Sequence, residues 1–408
     1  MTPLTSPAPA LEPLAPRSPS GRWLDWPHFD DEQIAAAAAV LRSGKVNYWT
    51  GEEGRAFEQE FARACGARFG IALANGTVAL DLALHVLGIG PGHEVVVTPR
   101  SFIASASTVA LCGASPVFAD LDPDSQNITA ETVRAVLSPR TKAIIAVHLA
   151  GWPCEMDGLL ALAREHDLKL IEDCAQTLGA TYRGRQVGSF GHVAAFSFCQ
   201  DKIVTTAGEG GLLTTADEDL WRAAWSYKDH GKSYDAMHHR EHPPGFRWVH
   251  ESLGTNWRMT EVQAAIGRCQ LRRLPEWLSL RRRNAALLAG RFRALPLLRV
   301  PEPPPHLSHA WYKFYAFVRP ERLARGWTRD RIMAAITARG IPCFVGSCPE
   351  IYLERGFSDR AVGPSRPLPV ARELGATSLM FLIHPTLTPE DIEDACRLVE
   401  EVCALATR

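Results

Sequence analysis

The 408-residue chain is notable first for what it does not contain. No apolar run approaches the roughly 20 residues that a membrane-crossing helix needs. The N-terminus has no basic stretch followed by an apolar core. Neither a membrane anchor nor a secretory leader is therefore expected, and the reading is a soluble, cytoplasmic protein. An excess of charge of one sign is missing too: 44 Lys and Arg stand against 45 Asp and Glu. Such a balance leaves no whole-molecule field to hold nucleic acid or an anionic membrane, so any phosphate recognition has to be local. The 10 cysteines form no CxxC pair and no His/Cys cluster at zinc spacing, which argues against a structural metal and for reduced thiols. No internal repeat is present at solenoid or propeller period. With 46% hydrophobic and 22% charged residues the composition is that of an ordinary globular protein, which excludes collagen, coiled coil and disorder throughout.

Residues 1–20 carry six prolines, which remove backbone donors and disfavour helix and sheet alike; a disordered tail is expected, with order starting at Trp23. Asp30 can cap a helix through the alanine run to Arg42, with Gly44 as its stop. A second helix is expected from Glu53 to Cys65. Beyond it, β-branched runs alternate with helical ones. Strands are predicted at Glu94 to Thr98, Pro116 to Ala119, Ala143 to His148, Lys169 to Glu172 and Val193 to Phe198. Helices are predicted at Thr77 to Leu87, Ala104 to Cys112 and Met156 to His166. This is the pattern of an α/β fold with a mostly parallel sheet. After Met259 two helices are expected, TEVQAAIGRCQLRRL and LSLRRRNAALLAGRFRAL, parted by Pro275. The last hundred residues read as a smaller α+β unit. The division expected is a large domain over 21–275 and a small one over 276–408.

Several signals are weak. Gly88, Gly90 and Gly92 have dinucleotide-like spacing but precede a strand, whereas a phosphate-binding glycine turn follows one. Arg281, Arg282 and Arg283, with Arg272 and Arg273, read as a solvated helix face. His238, His239 and His242 read as a mobile polar loop rather than a metal site, and Cys343 and Cys348 do not fill a tetrahedral site. Cys199 lacks an evident base to activate it. His309, Trp311 and Tyr312 could border a substrate, although aromatics at strand spacing more often build core.

Three segments carry chemistry together. Asn75-Gly76-Thr77 stands between an apolar strand and a helix, where unpaired N–H groups can cradle a phosphate. Leu170-Ile171-Glu172-Asp173 is a strand ending in carboxylates, and the C-terminal ends of parallel strands are where such folds place ligands. Strand alternation sends one of Glu172 and Asp173 into the site and the other away. Phe196-Ser197-Phe198-Cys199-Gln200-Asp201-Lys202, followed by Thr205 to Gly211, sets a lysine just beyond a buried strand. An ammonium there is expensive unless it has covalent work. An anion cradle, a carboxylate and such a lysine are the parts that hold pyridoxal phosphate (PLP).

At these residues the sequence resembles the DegT/DnrJ/StrS family of PLP-dependent sugar aminotransferases, which have the type I PLP-transferase fold. The likeness runs through NGTVALDLAL, GHEVVVTPRSFIASAS, IEDCAQTLGA, FSFCQDK, GEGG and GTNWRMTEVQAAIG. It implies that Lys202 bonds the cofactor as a Schiff base and that Asp173 keeps the pyridine nitrogen protonated. Gln176 would then lie near the ring hydroxyl, Phe102 would stack on the ring, and Gly76, Thr77 and Ser197 would bind the phosphate. Asn256 would reach that phosphate from the neighbouring subunit of a homodimer. Two positions depart from the pattern: Asn75 stands where many relatives have serine, and Cys199 where many have histidine. The implied reaction moves an amino group from glutamate to a keto sugar, nucleotide-linked, for surface polysaccharide or another glycoconjugate. A keto sugar without a nucleotide, such as an oxidised octulosonate, is the alternative acceptor. A sugar dehydratase of the same fold would have histidine in place of Lys202, and a silent binding protein would not need Lys202, Asp173 and Ser197 intact.

Overall fold

The computed structural model describes residues 26–408. The expected proline-rich tail and the start of order at Trp23 lie outside the described residues. Helix α1 (Asp31–Ser43) begins where the Asp30 side chain accepts the Gln33 amide and ends at Gly44 in the left-handed region, as the capping residues predict. Helix α2 (Glu53–Ala64) leads to strand β1 (Phe69–Leu73) and helix α3 (Gly76–Val86). Strand β2 (Glu94–Val97), helix α4 (Ala104–Leu111), β3 (Ser115–Phe118), β4 (Thr141–Val147) and β5 (Lys169–Asp173) follow. A two-residue hairpin, β6 (Thr181–Tyr182) and β7 (Arg185–Gln186), precedes β8 (Val193–Ser197) and β9 (Gly211–Thr215).

The main sheet has the order β1-β9-β8-β5-β4-β2-β3. Its strands β8, β5, β4, β2 and β3 are parallel, while β9 runs antiparallel to both neighbours. Ile144, Ile145, Leu170 and Ile171 are fully buried, because helices cover both faces, which is why these strands read as continuous apolar runs. Strand β9 is not among the strands predicted from the sequence; its Leu212 and Leu213 are buried, and it closes the sheet between β8 and β1.

The pair of helices expected on either side of Pro275 is one helix, Glu261–Phe292, with the proline inside it. Proline removes a single hydrogen bond there, and its side is exposed. Packing on both flanks holds the axis: Gln270 accepts the Thr205 amide and donates to Gln33, and Trp277 meets the Trp26 ring edge-on. The helix thus passes without interruption through the boundary expected at 275/276. Its far half joins a second apolar core with Phe314, Ile332, Phe381, Ile392 and Val399. That core lies on a sheet of β10 (Leu298–Arg299), β12 (Phe314–Val318), β13 (Cys343–Phe344) and β14 (Ser378–Phe381) in the order β10-β12-β14-β13, while β11 (Leu307–Ser308) pairs with β6. Helix Pro389–Ala406 closes it, started by a capping box between Thr388 and Asp391.

Two expectations about polar runs change. Arg281 is not part of a solvated face: it is fully buried, donating to the carbonyls of Trp311 and Tyr312, because the helix turns that side toward the C-terminal unit. Arg272 and Arg273 do face outward, in ion pairs with Glu32 and Asp30. The histidine run is partly ordered as well, since His238 ends a short helix, Tyr234–His238, and packs on Trp225.

Candidate active site

The C-terminal ends of β1, β8, β5 and β4 lie along one edge of the sheet, with β9 between β1 and β8, and the sequence-predicted residues of these strands and the loops after them sit along that edge. At the end of β1 the Asn75 side chain caps α3 by accepting the Val78 amide at 3.0 Å. Gly76 is pressed against β8: a Cβ on it would stand 2.6 Å from the Ser197 Cβ. Only glycine lets the first turn of α3 approach Ser197 this closely, and the result is a cradle of N–H groups and a hydroxyl at a helix N-terminus. Gly211, opposite both Leu73 and Ser197 in register, has the same constraint, since its Cβ would lie 2.2 Å from the Asn75 carbonyl oxygen. The last glycine of the GEGG segment thus lets β9 fit between the ends of β1 and β8.

Two residues along the edge, at the end of β5, the expected alternation is observed. Asp173 is 5% exposed; its Oδ2 accepts the Ser105 hydroxyl at 2.7 Å and its Oδ1 the Ala175 amide at 3.1 Å. Glu172 points to the opposite face, fully buried, and accepts the amides of Gly188, Phe190 and Gly191 at 2.7–2.8 Å. Burial pushes its carboxyl up, but His148 first and then the Gly191 and Gly188 amides hold it below the usual carboxylate range. His148 Nδ1 accepts the Cys154 amide, which leaves the ring proton on Nε2, 3.2 Å from Glu172. The His148–Glu172–Cys174 group is thus a buried support behind the strand end, satisfied by its own hydrogen bonds.

Gln176 is buried, and its Oε1 accepts the Ala150 amide at 2.8 Å, leaving its Nε2 as a donor. Phe102, on the loop after β2, is 68% exposed, and its carbonyl accepts the Ser105 amide; the open ring and the residue that orients Asp173 thus share one turn. Lys202 lies on the loop after β8, half-buried rather than buried. Its carbonyl accepts the Trp26 indole N–H at 2.9 Å, and its Nζ lies 5.0 Å from the Tyr312 ring centroid. Among the described residues it has no ion-pair partner. Tyr312 and His309 are buried, as the core reading expected, and Trp311 is half-buried.

Asn256 is exposed and pairs through its backbone with Asp229. The next residue, Trp257, accepts the Ala74 amide through its carbonyl, so this segment runs beside the cradle of its own chain. Among the described residues no hydrogen bond joins the Asn256 side chain to that cradle.

Sequence reasoning missed Ser105, Trp26, Tyr312 as the ring beneath Lys202, and the Asp229 carboxylate that binds Trp49, Lys232 and Arg258. Ser105 had a local signal in SFIASAS, four residues from Ser101, but no local pattern says which strand end it meets. The site also fits pyridoxal phosphate on its own geometry. A cradle that any Cβ would close faces a hydroxyl, a buried oriented carboxylate stands next along the edge, and a lysine free of a counter-ion follows.

Comparison with known proteins gives the family of the chain. The model of the DegT/DnrJ/EryC1/StrS aminotransferase family matches residues 27–400. The chain is 39% identical over 388 residues to GDP-perosamine synthase of Caulobacter vibrioides, covering 91% of this chain and 99% of that one. It is 38% identical to a UDP-N-acetyl-3-dehydro-alpha-D-glucosamine 3-aminotransferase of Acidithiobacillus ferrooxidans, with 89% and 91% covered. Among solved structures, the aminotransferase from Psychrobacter cryohalolentis superposes with a TM-score of 0.92 at 52% identity, over 94% of this chain and 99% of that one.

Proposed function

The chain belongs to the DegT/DnrJ/EryC1/StrS aminotransferase family, and from that premise we propose that it uses PLP to move an amino group from glutamate to the ketone of a nucleotide-linked sugar, supplying an amino sugar for polysaccharide or glycoconjugate synthesis. The observation that carries the reading is the meeting, at one sheet edge, of the Gly76–Ser197 cradle, the Asp173 carboxylate and Lys202. The names of relatives support a sugar nucleotide as a class: they include GDP-, UDP- and dTDP-linked sugars.

In this reading each residue has a defined task. Gly76, Thr77 and Ser197 bind the phosphate at the N-terminus of α3, where the helix dipole favours an anion. Phe102 covers one face of the ring, and Gln176 offers its free Nε2 to the ring hydroxyl. Asp173, oriented by Ser105 and by the Ala175 amide, keeps a proton on the ring nitrogen. When bound, the cofactor supplies an electron sink for the carbon that gives up its proton. Lys202 holds the cofactor covalently and, as a free amine, takes the proton from the donor Cα on Nζ. Asn256 of one subunit completes the phosphate site of its partner, which makes a homodimer the smallest working unit. No helix among the described residues is long and apolar enough to cross a membrane, and a cytoplasmic setting accompanies sugar-nucleotide substrates.

The test is the visible absorption spectrum of the purified protein with PLP, before and after glutamate. Replacement of the lysine-bound band by the shorter-wavelength band of the aminated cofactor supports the first half-reaction, and keto sugars with and without a nucleotide then identify the acceptor. A protein that takes up no PLP overturns the reading.

A further inference from the structure

Resting on the reading of Lys202 as the cofactor-holding amine, we propose that Asp201 and Lys313 are positioning residues that keep the Lys202 amine without a counter-ion, Lys313 being the cation that the Asp201 carboxylate holds. A carboxylate directly before a reactive lysine is its obvious ion-pair partner, and an ion pair would hold the proton on the nitrogen that has to be free to attack a carbonyl carbon. The structure places that carboxylate elsewhere. Asp201 Oδ2 accepts the Tyr312 hydroxyl and lies 3.2 Å from Lys313 Nζ. Both ammonium groups stand close to the same aromatic ring, Lys202 Nζ at 5.0 Å and Lys313 Nζ at 4.6 Å from the Tyr312 centroid. Two cations therefore share one ring and one acid, and the acid is committed to the one that does no covalent work.

The commitment has a physical basis. The Lys313 side chain is 15% exposed, and its residue is fixed just before β12 by a backbone bond to Ala150, so leaving it unpaired would strand a desolvated charge. Lys202 sits on a loop, half-buried, and carries no such penalty. The hydroxyl of Tyr312 adds a second fixed donor to Asp201, and the Tyr312 carbonyl is held in turn by buried Arg281. The charged and titratable groups facing this corner include, besides Lys202 itself, Asp201, Tyr312, Lys313, Arg281, Tyr315 and His384. Burial with the Asp201 charge pushes the Tyr312 hydroxyl well up. Burial brings Lys313 down against the pull of Asp201, and His384 is brought down to about 3 by burial with Arg281 and Lys313 beside it. Asp201 is lowered by Lys313 first and Lys202 second, against burial.

The experiment follows PLP uptake by full-length apoprotein, the amine adding to the aldehyde with loss of water, by absorbance between about pH 6 and 9. It compares wild type with Lys313→Met, Lys313→Gln, Lys313→Arg, Asp201→Asn and the Asp201→Asn/Lys313→Met double variant. Either neutral replacement of Lys313 frees Asp201 to pair with Lys202, and uptake near neutrality slows about tenfold with the profile moved about one unit to higher pH. Lys313→Arg keeps the wild-type profile; Asp201→Asn, which removes the only acid in question and leaves the Lys313 charge beside Lys202, neither slows uptake nor moves the profile to higher pH; and the double variant returns to within about twofold of wild type. An unmoved profile in Lys313→Gln, or a double variant as slow as Lys313→Met, overturns the counter-ion proposal while leaving Lys202 as the attachment site. Wild-type apoprotein that forms no lysine-bound band, or Lys202→Ala that forms the same one, overturns the underlying reading and this proposal with it.

Discussion

Replacing Gly76 by alanine separates cofactor binding from folding. The added Cβ would lie 2.6 Å from the Ser197 Cβ and 3.1 Å from its Oγ, about 1 Å inside normal carbon contact, so the first turn of α3 and the end of β8 must part. Overpacking of this size costs about 1–3 kcal/mol, but alanine regains up to about 1 kcal/mol of helix propensity over glycine, and the net loss of folding stability is about 0–2 kcal/mol. The cradle suffers more, because separating the N–H groups from the Ser197 hydroxyl removes one or two charge-assisted hydrogen bonds to phosphate at about 1.5–3 kcal/mol each. PLP should therefore bind at least about tenfold more weakly if one bond is lost, and about a hundredfold or more if two are lost. Absorbance titration of apoprotein with PLP measures the affinity, and urea unfolding of apoprotein measures the stability. Wild-type affinity in Gly76→Ala would show that the phosphate is not held between α3 and Ser197.

Four further outcomes follow from the same geometry. Lys202→Ala should abolish turnover with the far-ultraviolet circular dichroism unchanged, and full transaminase activity in it would reject the lysine assignment. Asp173→Asn should keep PLP bound and lower kcat by about a hundredfold or more, because the loss is in charge stabilisation; a near-wild-type rate would mean that another acid serves the ring nitrogen. Ser105→Ala, which removes the 2.7 Å bond to Asp173, should reduce kcat in the same direction but less, and a larger effect on glutamate KM than on kcat would contradict an orienting role. Buried His309 accepts the Trp311 amide on Nδ1 and has its pKa brought down to about 3 by burial, against about 6.5 when unfolded. The unfolded chain then binds the extra proton between these values, so stability falls as pH drops below about 6.5, by up to about 1.4 kcal/mol per unit. In urea unfolding at pH 7 and 5, His309→Gln should lose less stability than wild type between the two, and an equal loss would remove His309 from the acid sensitivity.

The local signals of this chain were strong where one residue type does one job. Asp30 and Gly44 bracket α1, and the alternation at Glu172 and Asp173 could be read from two adjacent letters, because caps and strand periodicity depend only on near neighbours. Pro275 misled for the converse reason: its local effect is to end a helix, and contacts from Gln270 and Trp277 to distant segments outweigh one missing hydrogen bond. Arg281 misled likewise, since a run of arginines gives no sign of which of them the C-terminal unit will cover. The sequence by itself determined the alternation of strands and helices through the parallel part of the main sheet, and it offered the cradle motif, the strand-end carboxylate and the lysine, all carried by short contiguous segments. Only the tertiary structure decided that Gly76 meets Ser197, that Ser105 turns to Asp173, and that Tyr312 and Lys313, more than a hundred residues away, occupy the carboxylate beside Lys202. Those choices rest on the packing of strand ends and of two apolar cores around one long helix, and such long-range contacts leave no local periodicity in the chain.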